Sequence, residues 1–310
     1  MTSWPPAGIE RAPVALFAYM RPDHLRTTVA SLRANPEAPY THLTVFCDAA
    51  KKPEHAAGVD AVRAFAYAID GFASVTVVQR ERNLGLAASI IDGVSRLVET
   101  HCRVIVVEDD LLLSPHFLRY MNEALDLYAH DTRVASIHGY CYPVGQSLPE
   151  TFFLRGADCW GWATWKRAWT QFRADGAALL AELETRGLTH EFDYDGQYGF
   201  TRMLRDQIAG RNDSWAIRWH ASCYLDDLLT LYPGRSLVHN IGNDASGTHC
   251  DERADYAHQS VAAEPVRVEH QSVEVSTVAR SAFVDFFRSG RPGPVTRVAR
   301  ALRRALRVGA

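Results

Sequence analysis

The chain has 310 residues, 47% of them hydrophobic, enough to bury a substantial core in one large domain or two fused halves. Its formal net charge of -3 excludes a general polyanion binder, so no nucleic-acid partner is expected. No run of about 20 apolar residues marks a transmembrane helix, and the N-terminal MTSWPPAGIERAP has no apolar signal core, so a cytoplasmic protein is expected. Six cysteines without CxxC spacing read as reduced thiols rather than a zinc ribbon.

In chain order, VALFAY (Val14 to Tyr19) is a short apolar run typical of a buried strand. Arg21-Pro22-Asp23 ends it, and Pro22 opens a helix carrying Leu25, Val29 and Leu32. LTVFC (Leu43 to Cys47) predicts a second strand ending in Asp48, and Glu54 to Ile69 a helix with Val59, Val62, Phe65, Ala66 and Ile69 on one face. Val75 to Val78 predicts a third strand. Asn83-Leu84-Gly85 starts a helix running through Ile90, Ile91, Val94, Leu97 and Val98, and Val104 to Val107 predicts a fourth strand. Such alternation predicts a Rossmann-like α/β fold, an open, mainly parallel sheet with helices on both faces, whose ligands bind beyond the carboxyl ends of the strands.

At one such end stand three adjacent carboxylates, Glu108, Asp109 and Asp110. Ser114 as N-cap and Pro115 at N1 suit the following helix (Phe117, Met121, Leu125, Tyr128), but they leave the triplet unexplained. Crowded carboxylates at a sheet edge make sense when a hard divalent cation, Mn²⁺ or Mg²⁺, neutralises them and takes substrate phosphate oxygens as further ligands. Beyond about residue 140 the rhythm becomes less regular. CWGWATWKRAW (Cys159 to Trp169) holds four tryptophans, a helix is expected over Ala177 to Arg186, and FDYDGQYGF precedes another over Tyr198 to Ala209. This half is expected to pack over one edge of the sheet and form a substrate cleft. Residues 10–140 thus read as a nucleotide-binding half, 141–255 as an acceptor and catalytic half, and 256–310 as a C-terminal extension.

The segments VALFAYMRPDHLRTTVASL, FCDAA and VIVVEDDLLLSPHFLRYM together resemble the nucleotide-sugar glycosyltransferases of the GT-A fold, in particular the N-acetylglucosaminyltransferase I type, in which an EDD triplet replaces DxD. CWGWATWKRAW and SWAIRW are similar to bacterial polysaccharide sugar transferases, and the resemblance spans roughly residues 13–250. It implies a metal-dependent, inverting hexosyl- or N-acetylhexosaminyltransferase with a UDP-sugar donor and a saccharide or lipid-linked saccharide acceptor. By the same resemblance Asp110 is the metal ligand, Glu108 and Asp109 contact ribose, base or metal-bound water, and Asp48 reads uracil or ribose. Ala18, Tyr19 and Arg21 line the nucleotide pocket, joined by Arg82 and Asn83. Arg21 could equally form a surface salt bridge, and Asn83 a plain helix cap.

The acceptor base is expected in EFDYDG, with Asp195 first and Asp193 second; either could instead be an N-cap aspartate. Gly161 and Trp162 are the donor-contacting members of the tryptophan cluster, Trp165 and Trp169 being assigned to the core. His249, in a Gly-rich loop, is a second metal-ligand candidate or a loop histidine. Asp226-Asp227 reads as a turn. Finally, TRVARALRRALRV (Thr296 to Val308) is a basic amphipathic pattern, readable as a peripheral anchor at the inner face of an anionic membrane or as a helix docked on its own domain. Two other classes compete: a sugar-phosphate nucleotidylyltransferase, which should carry a Gly-rich loop that AYMRPDH lacks, and a non-catalytic sugar-nucleotide-binding module.

Overall fold

The computed structural model describes residues 11–242 and 260–290. The first half follows the alternation closely. Strands β1 (Val14–Ala18), β2 (His42–Cys47), β3 (Ser74–Gln79) and β4 (Arg103–Glu108) pair in parallel in the order β3-β2-β1-β4. β1 is buried along its whole length, as expected of a central parallel strand covered on both faces. One face, through Leu16, Val45, Ile105 and Val107, packs on α1 (Pro22–Arg33), α2 (Ala56–Tyr67) and α4 (Phe117–Leu127). The other, through Ala15, Phe17, Phe46, Val104 and Val106, packs on α3 (Leu86–His101) and α9 (Trp215–Leu225).

The second half departs from expectation. Instead of covering an edge, it supplies three more strands to the same sheet, β7 (Thr151–Arg155), β8 (Trp162–Trp165) and β9 (Leu229–Pro233), and β6 (Val134–His138), from the end of the first half, pairs between β8 and β9. The full order is β3-β2-β1-β4-β8-β6-β9-β7, and β8 runs antiparallel to both β4 and β6, as β7 does to β9. The sheet is therefore mixed rather than mainly parallel. The irregular composition hid this because these strands are only four or five residues long, with a register shift between Val134 and Ser136. A small second sheet pairs β5 (Leu111–Leu113), directly after the triplet, with β10 (Val238–Asn240).

One local expectation is corrected, and one helix appears that the sequence pattern did not mark. The helix after the triplet starts at Phe117 rather than Pro115: Ser114 holds a preceding turn, its hydroxyl accepting from the His116 amide (3.2 Å) while donating to the Ala262 carbonyl (2.6 Å). The helices expected over Ala177 to Arg186 and Tyr198 to Ala209 are α6 (Gly176–Thr185) and α8 (Phe200–Ile208); with the short α5 (Lys166–Trp169) and α7 (Thr189–Phe192) they form the α9 side of the second half. A further helix, α10 (Thr277–Ser289), capped by Ser276, lies in the C-terminal extension, ahead of the basic segment. It inserts Phe283 and Phe287 among Phe152, Leu154 and Tyr232. Asp226 and Asp227 form the expected turn between α9 and β9, with Asp227 at φ 55°. Cys47, Cys102, Cys141, Cys159 and Cys223 are free thiols. Among the described residues no helix is long and apolar enough to cross a membrane. His249 and the basic segment Thr296 to Val308 lie outside the described residues.

Candidate active site at the carboxyl edge of the parallel strands

The acidic triplet sits where β4 leaves the sheet. Glu108 closes the strand opposite Phe17, and the next two residues turn toward the small sheet. Asp109 is buried. Its carboxylate accepts from the Tyr19 amide (3.2 Å) and from Arg21 Nη2 (2.9 Å), and its carbonyl accepts from the Thr28 hydroxyl (2.8 Å). The same Arg21 nitrogen reaches Asp110 Oδ2 at 2.7 Å, so one guanidinium cross-links two of the three carboxylates. Of the two readings of Arg21, the structure therefore gives a salt bridge, but one inside the site. Burial pulls the guanidinium pKa down, and the two aspartates more than offset this and hold it above its ordinary value. Burial, then the charges of Asp110 and Asp109, push the Glu108 carboxyl up; burial likewise raises Asp109 against the pull of Arg21.

The Ile241 amide donates to the Asp110 carbonyl (2.8 Å), drawing the segment just after β10 over the pair. A Cβ on Gly242 would stand 2.2 Å from Asp110 Oδ2 and 3.0 Å from Arg21 Nη1, so only glycine fits against the ion pair there.

The remaining nucleotide-pocket candidates fall around the ends of β1 to β3. The Ala18 carbonyl accepts from the Asp48 amide (3.1 Å). The Tyr19 hydroxyl lies 2.7 Å from His55 Nδ1 and accepts from the Lys51 amide (2.9 Å), bracing the loop after β2. Asp48 is almost fully engaged: it accepts from its neighbour Ala49 N (2.8 Å), Asn83 Nδ2 (3.0 Å), Leu84 N (2.9 Å) and Gly85 N (3.0 Å). Asn83 also donates to the Ala49 carbonyl (2.8 Å), while Arg82 is exposed. Asp48 and Asn83 thus tie the entry of α3 to the end of β2. Asp48→Ala should leave these partly buried donors without their acceptor and lower unfolding stability by about 1–3 kcal/mol, measured by urea titration.

Two second-half candidates are packed into the interior. Trp162 is 0% exposed and stacks on Trp215 at a centroid distance of 5.2 Å, with Trp169 at 5.8 Å, so its side chain is core. Gly161 adopts φ +63°, and a Cβ there would meet Val238 at 2.8 Å, so its smallness serves packing between β8 and β10. The proposed bases are occupied. Asp195, at φ 55°, holds Arg280 of α10 through both oxygens (2.9 and 2.6 Å), which depresses its pKa. Asp193 accepts from the Thr201 amide at 2.6 Å at the start of α8. The carboxylate the sequence reading passed over is Asp158, in ADCWGW, next to the buried His138. The available signal was an acid two residues before a glycine-linked tryptophan pair.

Among the described residues no group of three or more His, Cys, Asp and Glu side chains is arranged as a protein-only metal centre. Asp110, at the mouth of the triplet, suits a hard ion that keeps most of its waters and completes its shell with substrate phosphates, a mode requiring only one or two carboxylates.

No family model matches the sequence, and no curated protein matches it. Solved structures with similarity include the mannosyltransferase PcManGT from Pyrobaculum calidifontis in complex with GDP-Man and Mn²⁺, at 13% identity, TM-score 0.37, covering 69% of this chain and 70% of that one. Another is S. aureus TarS, at 13% identity and TM-score 0.30, covering 47% of this chain and 24% of that one.

Proposed function

We propose that this chain is an inverting, metal-assisted glycosyltransferase of the GT-A type. It moves a sugar from a nucleotide-diphospho sugar, a UDP-sugar in the first instance, to a hydroxyl of a saccharide or lipid-linked saccharide in polysaccharide synthesis. The observation that carries this reading is the Glu108-Asp109-Asp110 triplet at the carboxyl edge of β4, cross-linked by Arg21 from the β1 to α1 turn. Ligands of open α/β sheets bind at this edge.

Asp110 would hold Mn²⁺ or Mg²⁺, which when bound neutralises the departing diphosphate. Arg21 keeps Asp109 and Asp110 fixed before donor arrives and brings a second cation to the diphosphate. Glu108 and Asp109 lie beside it, within reach of the nucleoside. A single in-line displacement by the acceptor hydroxyl inverts the anomeric centre. The nucleotidylyltransferase alternative is disfavoured locally, since Tyr19, Met20 and Arg21 join β1 to α1 without a glycine loop to cradle triphosphate.

A thermal-shift screen of UDP-, GDP- and dTDP-sugars with and without Mn²⁺ tests the reading. A Mn²⁺-dependent rise with one nucleotide class is expected, and stabilisation by none of them would overturn it. The arginines of Thr296 to Val308 carry a separate expectation. Deleting Thr296 to Ala310 should weaken co-sedimentation with anionic liposomes and spare activity on a soluble acceptor. Wild-type binding should fall steeply with salt, because screening shortens from about 10 Å at 0.1 M to about 3 Å at 1 M. Salt-insensitive binding would rule out the electrostatic anchor.

A further inference from the structure

The acceptor base of the reaction proposed above has no assigned residue once Asp195 and Asp193 are seen to be engaged elsewhere, and a different carboxylate stands nearer the triplet. β8 pairs antiparallel with β4, Trp162 opposite Val106, and with β6, Trp162 opposite His138. Continued past the strand ends, these pairings bring the segment before β8 alongside the triplet on one side and residues 140–142 on the other. The contacts agree: the Tyr142 hydroxyl donates to Asp158 Oδ2 (3.3 Å), and the Cys159 amide donates to Asp158 Oδ1 (2.9 Å). The Cys159 thiol is raised by burial and then by the charges of Asp158, Glu108 and Asp110, in keeping with that placement.

Asp158 is half-buried, open on one side, with Tyr142 and Trp160 half-buried beside it, an aromatic and acidic setting suited to a sugar ring and its hydroxyls. Behind it stands His138, 0% exposed, with Nε2 at 3.8 Å from Asp158 Oδ2 and neither ring nitrogen hydrogen-bonded. Leaving a buried imidazole unpartnered costs stability, so its placement calls for a partner that arrives later.

We propose that Asp158 is the carboxylate that takes the acceptor's proton, with His138 as the positioning residue behind it. The acceptor hydroxyl oxygen forms the new bond to the anomeric carbon and passes its proton to Asp158. The bond from that carbon to the diphosphate oxygen breaks, and its electron pair leaves with the nucleoside diphosphate. The newly protonated carboxyl donates its hydrogen to His138 Nε2, closing the 3.8 Å gap. Burial pulls the His138 pKa to about 4, which keeps the imidazole neutral and able to accept that hydrogen bond at neutral pH.

The inference rests on the glycosyltransferase reading, and the test separates the two. Donor binding by calorimetry and nucleoside diphosphate release are measured with UDP-glucose, UDP-N-acetylglucosamine and GDP-mannose, in water and with methyl glycosides as acceptors. Asp158→Asn is expected to keep donor affinity within about two-fold and to lower kcat about 100-fold or more. Sodium formate should restore about ten-fold to Asp158→Ala, a rescue that a purely structural role would not show. His138→Asn should lower kcat about ten-fold at unchanged donor KM. Near-normal turnover in Asp158→Asn, absent formate rescue, or parallel loss of donor affinity would overturn the assignment and leave the glycosyltransferase reading standing. Absence of donor binding by the wild type would overturn both. If Asp158→Asn does not fold, Tyr142→Phe serves instead; a lowered kcat supports the assignment, and an unchanged one overturns it.

Discussion

Replacing Asp110 with alanine should reduce sugar transfer by about 10³-fold and remove the Mn²⁺-dependent part of donor binding. The backbone at this position is held by its neighbours: the Asp110 carbonyl accepts from Ile241, which the substitution leaves in place. Arg21 keeps its bond to Asp109 at 2.9 Å, so the junction of β1 and α1 should stay intact. What disappears is one carboxylate at the mouth of the triplet, and with it the anchor for a cation facing the diphosphate. Kinetics on the variant, paired with wild-type assays in EDTA and after Mn²⁺ addition, check this. Undiminished wild-type activity in EDTA would remove the metal from the account and leave Arg21 as the cation facing the leaving group.

Trp162→Ala should cost about 3–5 kcal/mol of unfolding free energy, the range for deleting a large aromatic side chain from a core. Trp162 lies between α9 and the sheet, packed with Trp215, Trp169 and Trp219 at centroid distances of 5.2, 5.8 and 6.3 Å. The cavity left behind would be walled by three rigid indoles that cannot collapse into it. Urea titration followed by fluorescence measures the loss. Donor affinity of the protein that remains folded should change less than about two-fold. The opposite pattern, a small stability loss with lost donor affinity, would put the indole back against the sugar.

The contrast between these residues shows what the sequence made legible. The triplet stood out because three charges at the end of a buried aliphatic run are costly unless something compensates them, and that penalty is readable without coordinates. The β1 to β4 alternation was readable for the same kind of reason, since strand and helix periods differ. Trp162 was not: an aromatic side chain suits a sugar site and a core equally well, and only the stacking of α9 on β8 decides between them. Asp195 and Asp193 looked free because their partners, Arg280 and the Thr201 amide, depend on tertiary placement, Arg280 standing 85 residues away on a helix whose apolar pattern is short. Asp48 was placed correctly at a strand end, yet its position could not reveal that the loop entering α3 would use its lone pairs. The mixed character of the sheet was hidden because β8 is an antiparallel strand of four residues inside a tryptophan-rich segment.

The most direct measurement is a crystal structure of the wild-type chain grown with a UDP-sugar and Mn²⁺, with Mn²⁺ located by its anomalous scattering. The account predicts an anomalous peak at the Asp110 carboxylate, the diphosphate on the same ion, and the nucleoside over the carboxyl ends of β1, β2 and β4. A nucleotide bound elsewhere, or a diphosphate seated at the triplet with no ion at Asp110 under saturating Mn²⁺, would contradict it.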